Sequence, residues 1–260
     1  MIASVKLHRS QTMVEQIRPY GEQLEGMLSR LAGIGEEIDS PFVRSGKNGK
    51  TAWVVCASNT GLCGAFNANV EKDFLQRVAG VPADSLSIFP VGKKIREFLV
   101  KNGFAVEGNY DALSDKPVYD AAAALADDLM RRYAAGEFRE VRVLYHHFHN
   151  RMVQTLAAGL FLPFTAAPAP EGDGLASADY ILEPSAEELA VRLLPQVLRL
   201  KFYTCLLDNS ASEHGARTMA MQQATDNATD LLQQLTVQYN KSRQQSITNE
   251  LLDIAGGSAG

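Results

Sequence analysis

From Val197 almost to the last residue, apolar positions recur at helical spacing with no helix breaker between them. Upstream, Ser185 stands where a helix N-cap would be, and Glu187 and Glu188 place acidic charge in the first turn. Read as one helix, Ala186 to Ala255 extends about 105 Å at about 1.5 Å per residue, far beyond the length of a globular helix. Pro195 predicts a local kink in its early part. A helix of this length must lie against something.

Its charges narrow what that something is. Between His214 and Asn249 the charged residues are Arg217, Asp226, Asp230, Lys241 and Arg243, and Gln, Asn, Thr and Ser fill most other polar positions. A long solvated helix carries Glu and Lys on its outer faces. A polar face almost without charge suits enclosure by another protein, where a buried unpaired charge costs several kcal/mol. The opposing reading is that Ala, Gln and Thr are adequate residues for a helix surface.

The chain opens with a second helical segment. Met13, Ile17, Tyr20, Leu24, Met27/Leu28 and Leu31 are spaced by three and four, a coiled-coil seam, closed by Gly33 and Gly35. From Thr51 the pattern changes to short β-branched runs alternating with helical ones: TAWVVCAS, NANVEKDFLQRV, SLSIFPVG, KKIREFLVKNG, a short FAVEG strand, VYDAAAALADDLMRRYAAG and EVRVLYHHF. Such alternation predicts a parallel sheet covered by helices. The fold class is therefore α/β: an antiparallel coiled coil of the two terminal helices with a Rossmann-like domain inserted between them. The expected boundaries are 1–35 for the first helix, 50–165 for the inserted domain and 186–256 for the long helix. The two helices differ so much in length that most of the second has no partner within the chain.

Composition limits the function classes. In 260 residues, 25 Lys plus Arg against 30 Asp plus Glu give a formal charge of −5, so there is no overall basic field for nucleic acid. Three scattered cysteines, Cys56, Cys63 and Cys205, form no metal-ligand spacing and fit a reducing compartment. The uncharged stretch Met152 to Pro170 is interrupted by Gly159, Pro163, Pro168 and Pro170, and reads as a buried segment with a Pro-rich turn rather than a membrane span. The first residues have neither a signal-peptide core nor the composition of a transit peptide.

Chemistry-bearing motifs are sparse. SNTGLCGAFN (Ser58 to Asn67) sits between a strand and a helix, where a phosphate loop would be, but matches neither GxGxxG nor GK[ST], and reads as a tight turn. Cys63 has no base near it in sequence. Among His146, His147 and His149, alternation puts the last two on one face, with no acidic or Cys residue at ligand spacing. No catalytic, cofactor or metal residues are expected.

Three stretches carry a family resemblance. SEHGARTMAMQQATDNATDLLQQLTVQYNKSRQQSITNELLDIAGG (Ser212 to Gly257) closely resembles the C-terminal helix of the γ subunits of F-type ATP synthases. SNTGLCGAFNANV and MIASVKLHRSQTMVEQIRPY are similar to that family's other signature and to part of its N-terminal helix, and the ADYILEPS junction ahead of the long helix also matches. The resemblance implies a non-catalytic rotor shaft turning inside a hexamer of α and β subunits. Its α/β foot would meet the ε subunit and the membrane ring of c subunits, coupling proton flow to ATP synthesis or hydrolysis. It also implies that Arg243, Gln244, Thr248 and Glu250 contact a β-subunit loop, and that Ile254 to Gly260 form the shaft tip. The chain departs from the family at His214 and Gly215, where Gln and Ala are usual, and begins inside the family's N-terminal helix. A bacterial protein, peripheral on the cytoplasmic face of the inner membrane, is expected.

Overall fold

The computed structural model describes residues 2–34, 40–44, 46, 48–165, 182–183 and 185–257. In chain order the elements are α1 (Ile2–Ile34), β1 (Lys50–Cys56), α2 (Phe66–Val78), β2 (Leu86–Val91), α3 (Lys93–Lys101), α4 (Asp111–Asp115), α5 (Tyr119–Ala134), β3 (Phe138–Phe148), β4 (Gln154–Leu162) and α6 (Ala186–Gly257). α6 runs through Pro195 as a single helix. Its start is capped as the sequence suggests, with the Glu188 amide donating to Ser185 Oγ at 3.2 Å. The ADYILEPS junction lies mostly outside the described residues.

The sheet has the order β2-β1-β3-β4. β1 is parallel to both β2 and β3, and β4 is antiparallel to β3. The expected parallel sheet holds for β2, β1 and β3, and β4 is the addition: the apolar stretch read as a buried segment is an antiparallel edge strand, with Phe161 and Leu162 buried and Leu160 exposed. FAVEG is not a strand either. Only Val106 bridges to Ile88, between Gly103 and Gly108, both at positive φ.

Side-chain alternation along β1 divides the core into two layers. Ala52, Val54 and Cys56 face α1, α5 and α6, packing with Leu28, Leu129, Val197, Leu198 and Phe202. Trp53 and Val55 face α2 and α3, with Val70, Phe74, Ile95 and Leu99. The lower part of α6 is thus seated in the main core of the α/β domain.

α1 runs antiparallel to α6. Gly21 lies beside Leu200, Ser10 Oγ is 3.5 Å from Ser210 Oγ, and Glu25 pairs with Lys201 Nζ at 3.8 Å. The seam differs from the hydropathy reading, since Tyr20 is 58% exposed and Met27 is exposed too. The residues toward α6 are Leu7, Ser10, Val14, Ile17, Gly21, Leu24, Leu28 and Leu31, a strict alternation of three and four. A Cβ on Gly21 would stand 3.6 Å from the Leu200 side chain, an ordinary van der Waals contact, so the position lies on the seam.

Candidate functional site

The upper half of α6 is uncovered. Every side chain from Met221 to Ile254 is exposed, over a length of about 50 Å. Large apolar residues are among them: Leu231 is 55% exposed, Leu232 67%, Val237 69% and Leu252 64%. At about 100° per residue, Leu231 and Leu251 point to opposite sides of the helix. One partner helix covers one stripe. Apolar side chains on opposite sides require contact from several directions.

Some polar side chains of this stretch bond to the helix itself. Thr225, Thr229, Thr236 and Thr248 each donate a hydroxyl to the carbonyl four residues back, at 2.7 to 3.0 Å. Gln222 Nε2 donates to Asp226 Oδ1 at 3.0 Å. The bonded threonines make few directional demands on whatever lies against them. Arg243, Gln244, Thr248 and Glu250 are all exposed here. Arg243 and Glu250 are two turns apart on one side, and Gln244 and Thr248 lie one turn apart beside them, within an arc of about 160°. Apart from the Thr248 hydroxyl bond to the Gln244 carbonyl, these four make no side-chain hydrogen bond or ion pair with another described residue.

Below the bare stretch lies a collar of buried polar residues that hydropathy missed: Asp208, Asn209, Ser210, Ser212, Glu213 and His214. Asp208 Oδ2 is 2.5 Å from His147 Nδ1, and the His146 amide donates to Asn209 Oδ1 at 3.2 Å. Ser212 Oγ donates to the His146 carbonyl at 3.1 Å. The acidic partner for the histidine run, absent nearby in sequence, comes from α6. His147 and His149 share a face, in edge contact at 4.7 Å, while His146 is buried and stacked on Phe66 at 4.1 Å. Among the described residues, no group of three or more His, Cys, Asp or Glu is placed to hold a metal ion.

The turn Ser58 to Asn67 closes the collar. Arg217 Nη2 donates to Thr60 Oγ1 at 2.9 Å and to the Thr60 and Gly61 carbonyls at 3.3 Å, and Arg217 Nη1 donates to Glu213 Oε1 at 2.7 Å. Asn59 accepts from the Lys93 amide and donates to the Asp111 carbonyl, both at 2.8 Å. The Ser58 amide and hydroxyl both donate to Asn67 Oδ1. Cys63 is buried and accepts from Asn67 Nδ2 at 3.3 Å. The turn thus joins α2, α3, α4 and α6, and its polar groups are engaged within the chain. The sequence signal for the collar was DNSASEH (Asp208 to His214), a polar run across the apolar period of α6.

Burial sets the protonation states of the collar. Desolvation pushes the His146 imidazole from 6.5 down to about 4. His214 falls equally, through burial first and then the Arg217 and Lys6 charges. Burial raises Asp208 against the pull of His147 and Arg18, and raises Glu213 against Arg217. The unfolded imidazoles take up protons near 6.5 and the folded ones only near 4, so their contribution to stability falls as pH drops across that interval and is level above it. The raised carboxyls act in the opposite direction, favouring the fold as they protonate. His146→Gln keeps both backbone hydrogen bonds and removes one imidazole. Its melting temperature is expected to fall less than that of the parent between about pH 7.5 and about pH 4.5, by roughly 5 °C. Equal losses in calorimetry would show that the buried imidazole does not set the acid sensitivity.

A family model described as ATP synthase matches residues 1–260. The ATP synthase gamma chain of Phocaeicola vulgatus is 48% identical, over 99% of this chain and 91% of its own length. That of Bacteroides fragilis is likewise 48% identical, with 99% and 91% covered. Among solved structures, a chain of the central stalk and c-ring of the Tetrahymena thermophila mitochondrial ATP synthase shares the fold, with a TM-score of 0.63 at 20% identity over 86% of this chain and 96% of that one. With a match along its whole length and relatives close to half identical, the chain belongs to the ATP synthase gamma chain family.

Proposed function

We propose that this chain is the central-stalk rotor of a proton-translocating F-type ATP synthase, with the upper half of α6 as its shaft. The observation that carries this reading is the uncovered stretch Met221 to Ile254, with apolar side chains on opposite sides and few charges. A ring of α and β subunits would cover such a helix from all sides. The self-bonded threonines suit a surface that turns within that ring, since no fixed partner has to be released.

In this role the chain breaks and forms no bonds and holds no cofactor. The shaft would act on three catalytic sites by linkage: each orientation favours one conformation of a β subunit only to the extent that it makes different contacts with the alternatives. Arg243, Gln244, Thr248 and Glu250 are proposed as contacts to a β-subunit loop. The α/β foot would meet the ε subunit and the c-ring. No helix among the described residues is long and apolar enough to cross a membrane. Attachment at the cytoplasmic face of a bacterial inner membrane would therefore run through the complex.

Co-expression with α and β subunits tests the reading. The chain is expected to co-purify with the hexamer and sustain ATP hydrolysis. A stable homodimer with no preference for those subunits would identify it instead as a coiled-coil scaffold. In the complete membrane complex, Arg243→Ala with Gln244→Ala is expected to lower ATP synthesis about tenfold through the loss of charge-assisted hydrogen bonds. Unchanged synthesis and assembly would remove these residues from the proposal.

A further inference from the structure

We propose that Arg217 is a positioning residue that fixes the direction in which the shaft leaves the foot. The inference rests on the rotor reading above. Along α6 the last fully buried apolar side chain is Ala211, and from Met221 onward every described side chain is exposed. Between these points the helix is held by polar and small-residue contacts. Ser212 holds β3, the Gly215 backbone approaches the β3–β4 turn, and Arg217 grips the turn Ser58 to Asn67.

Arg217 dominates this interval. Its guanidinium holds Glu213, which is 5% exposed, and reaches both carbonyls and the hydroxyl presented by Thr60 and Gly61. One turn further, a Cβ on Gly64 would be 3.9 Å from the Ala220 Cβ, a second close approach of the turn to the helix. The turn is itself fastened to α3 and α4 through Asn59. Arg217 therefore ties the exit of the shaft to the far side of the sheet.

Leverage gives the contact its importance. About 50 Å of helix extends beyond the collar, so a tilt of about 5° there displaces the tip by about 5 Å. That exceeds the distance over which a side chain keeps its hydrogen bonds. A loosened collar would blur the angular position of the tip while the apolar seat of α6 still carries the foot around.

The test uses the assembled membrane complex. Arg217→Ala leaves Glu213 buried and without its cation, so Arg217→Lys is made beside it: lysine keeps the charge for Glu213 but cannot fork across the two carbonyls. Both variants are expected to assemble and hydrolyse ATP while moving about threefold fewer protons per ATP. The second arm joins the same surfaces by another route. Gly64→Cys with Ala220→Cys, added to each variant in a Cys63→Ser background, places two Cβ atoms at disulfide distance, although the φ of +60 at Gly64 strains a cysteine there. Oxidation is expected to restore coupling and reduction to abolish it again. Full coupling in Arg217→Lys, or no recovery on formation of the disulfide, would overturn the inference. Failure of the parent chain to assemble or support hydrolysis would instead count against the rotor reading.

Discussion

Leu231→Glu with Leu235→Glu is expected to abolish co-purification with the α and β subunits and to leave the fold of the chain intact. Both leucines are 55% exposed in the chain alone, so neither contributes much to its core. Glutamate and leucine have similar helix propensities, and two like charges one turn apart cost only about 0.5 kcal/mol. Thermal unfolding should therefore shift by no more than about 2 °C. Enclosure changes the magnitudes. Each carboxylate taken out of water without a partner costs several kcal/mol, and every 1.4 kcal/mol is about tenfold in affinity, so binding should weaken by at least about a hundredfold. The two measurements separate the effects: circular dichroism melting reports the fold and pull-down reports the enclosure. A variant that assembles as well as the parent would mean that no ring encloses this turn of the helix, and the rotor reading would lose its main support.

Phe202→Ala should do the reverse. The Phe202 ring is fully buried in the core shared by α6 and the sheet, 5.5 Å from the Phe161 ring. Removing it sacrifices the transfer free energy of the ring and leaves a cavity, together about 3–5 kcal/mol. At about 2–4 °C per kcal/mol for a chain of this size, the melting temperature should fall by about 10 °C. Below that temperature, assembly with the α and β subunits should persist, because the exposed upper part of the helix is untouched. A loss under about 3 °C would show that α6 is not anchored through this core. The comparison also ranks the two attachments of α6. The apolar seat supplies most of the binding to the foot, and the polar collar supplies direction.

Local chemistry explains which parts of this structure were legible beforehand. The unbroken period from Val197, the Ser185 cap and the runs SLSIFPVG and EVRVLYHHF are local signals, and each became the expected element. The α1 seam was only half legible. Ser10 and Gly21 face α6 although neither is a large apolar residue, which hydropathy does not register. β4 was misread because LAAGLFL is apolar without alternation, leaving nothing to distinguish an edge strand from a buried segment. The role of the collar escaped for a different reason: the partners of DNSASEH and Arg217, such as His147 and Thr60, are far away in sequence and meet them only through the tertiary fold. Arg243, Gln244, Thr248 and Glu250 were singled out by resemblance alone, and within the chain they are ordinary exposed helix residues.

The antiparallel pairing of the first and last helices also dictates when the molecule can fold. α1 leaves the ribosome well before α6, since the residues that cover its seam, such as Leu200 and Ser210, come about 200 positions later. The sheet face built from Ala52, Val54 and Val143 awaits the same segment of α6. Throughout synthesis, at about 5–20 residues per second, the α1 seam stays open for roughly 10 to 40 seconds. Contacts so distant along the chain also fold slowly once both partners are present. The nascent chain thus exposes these apolar surfaces until α6 is made, and α6 alone covers both of them at once.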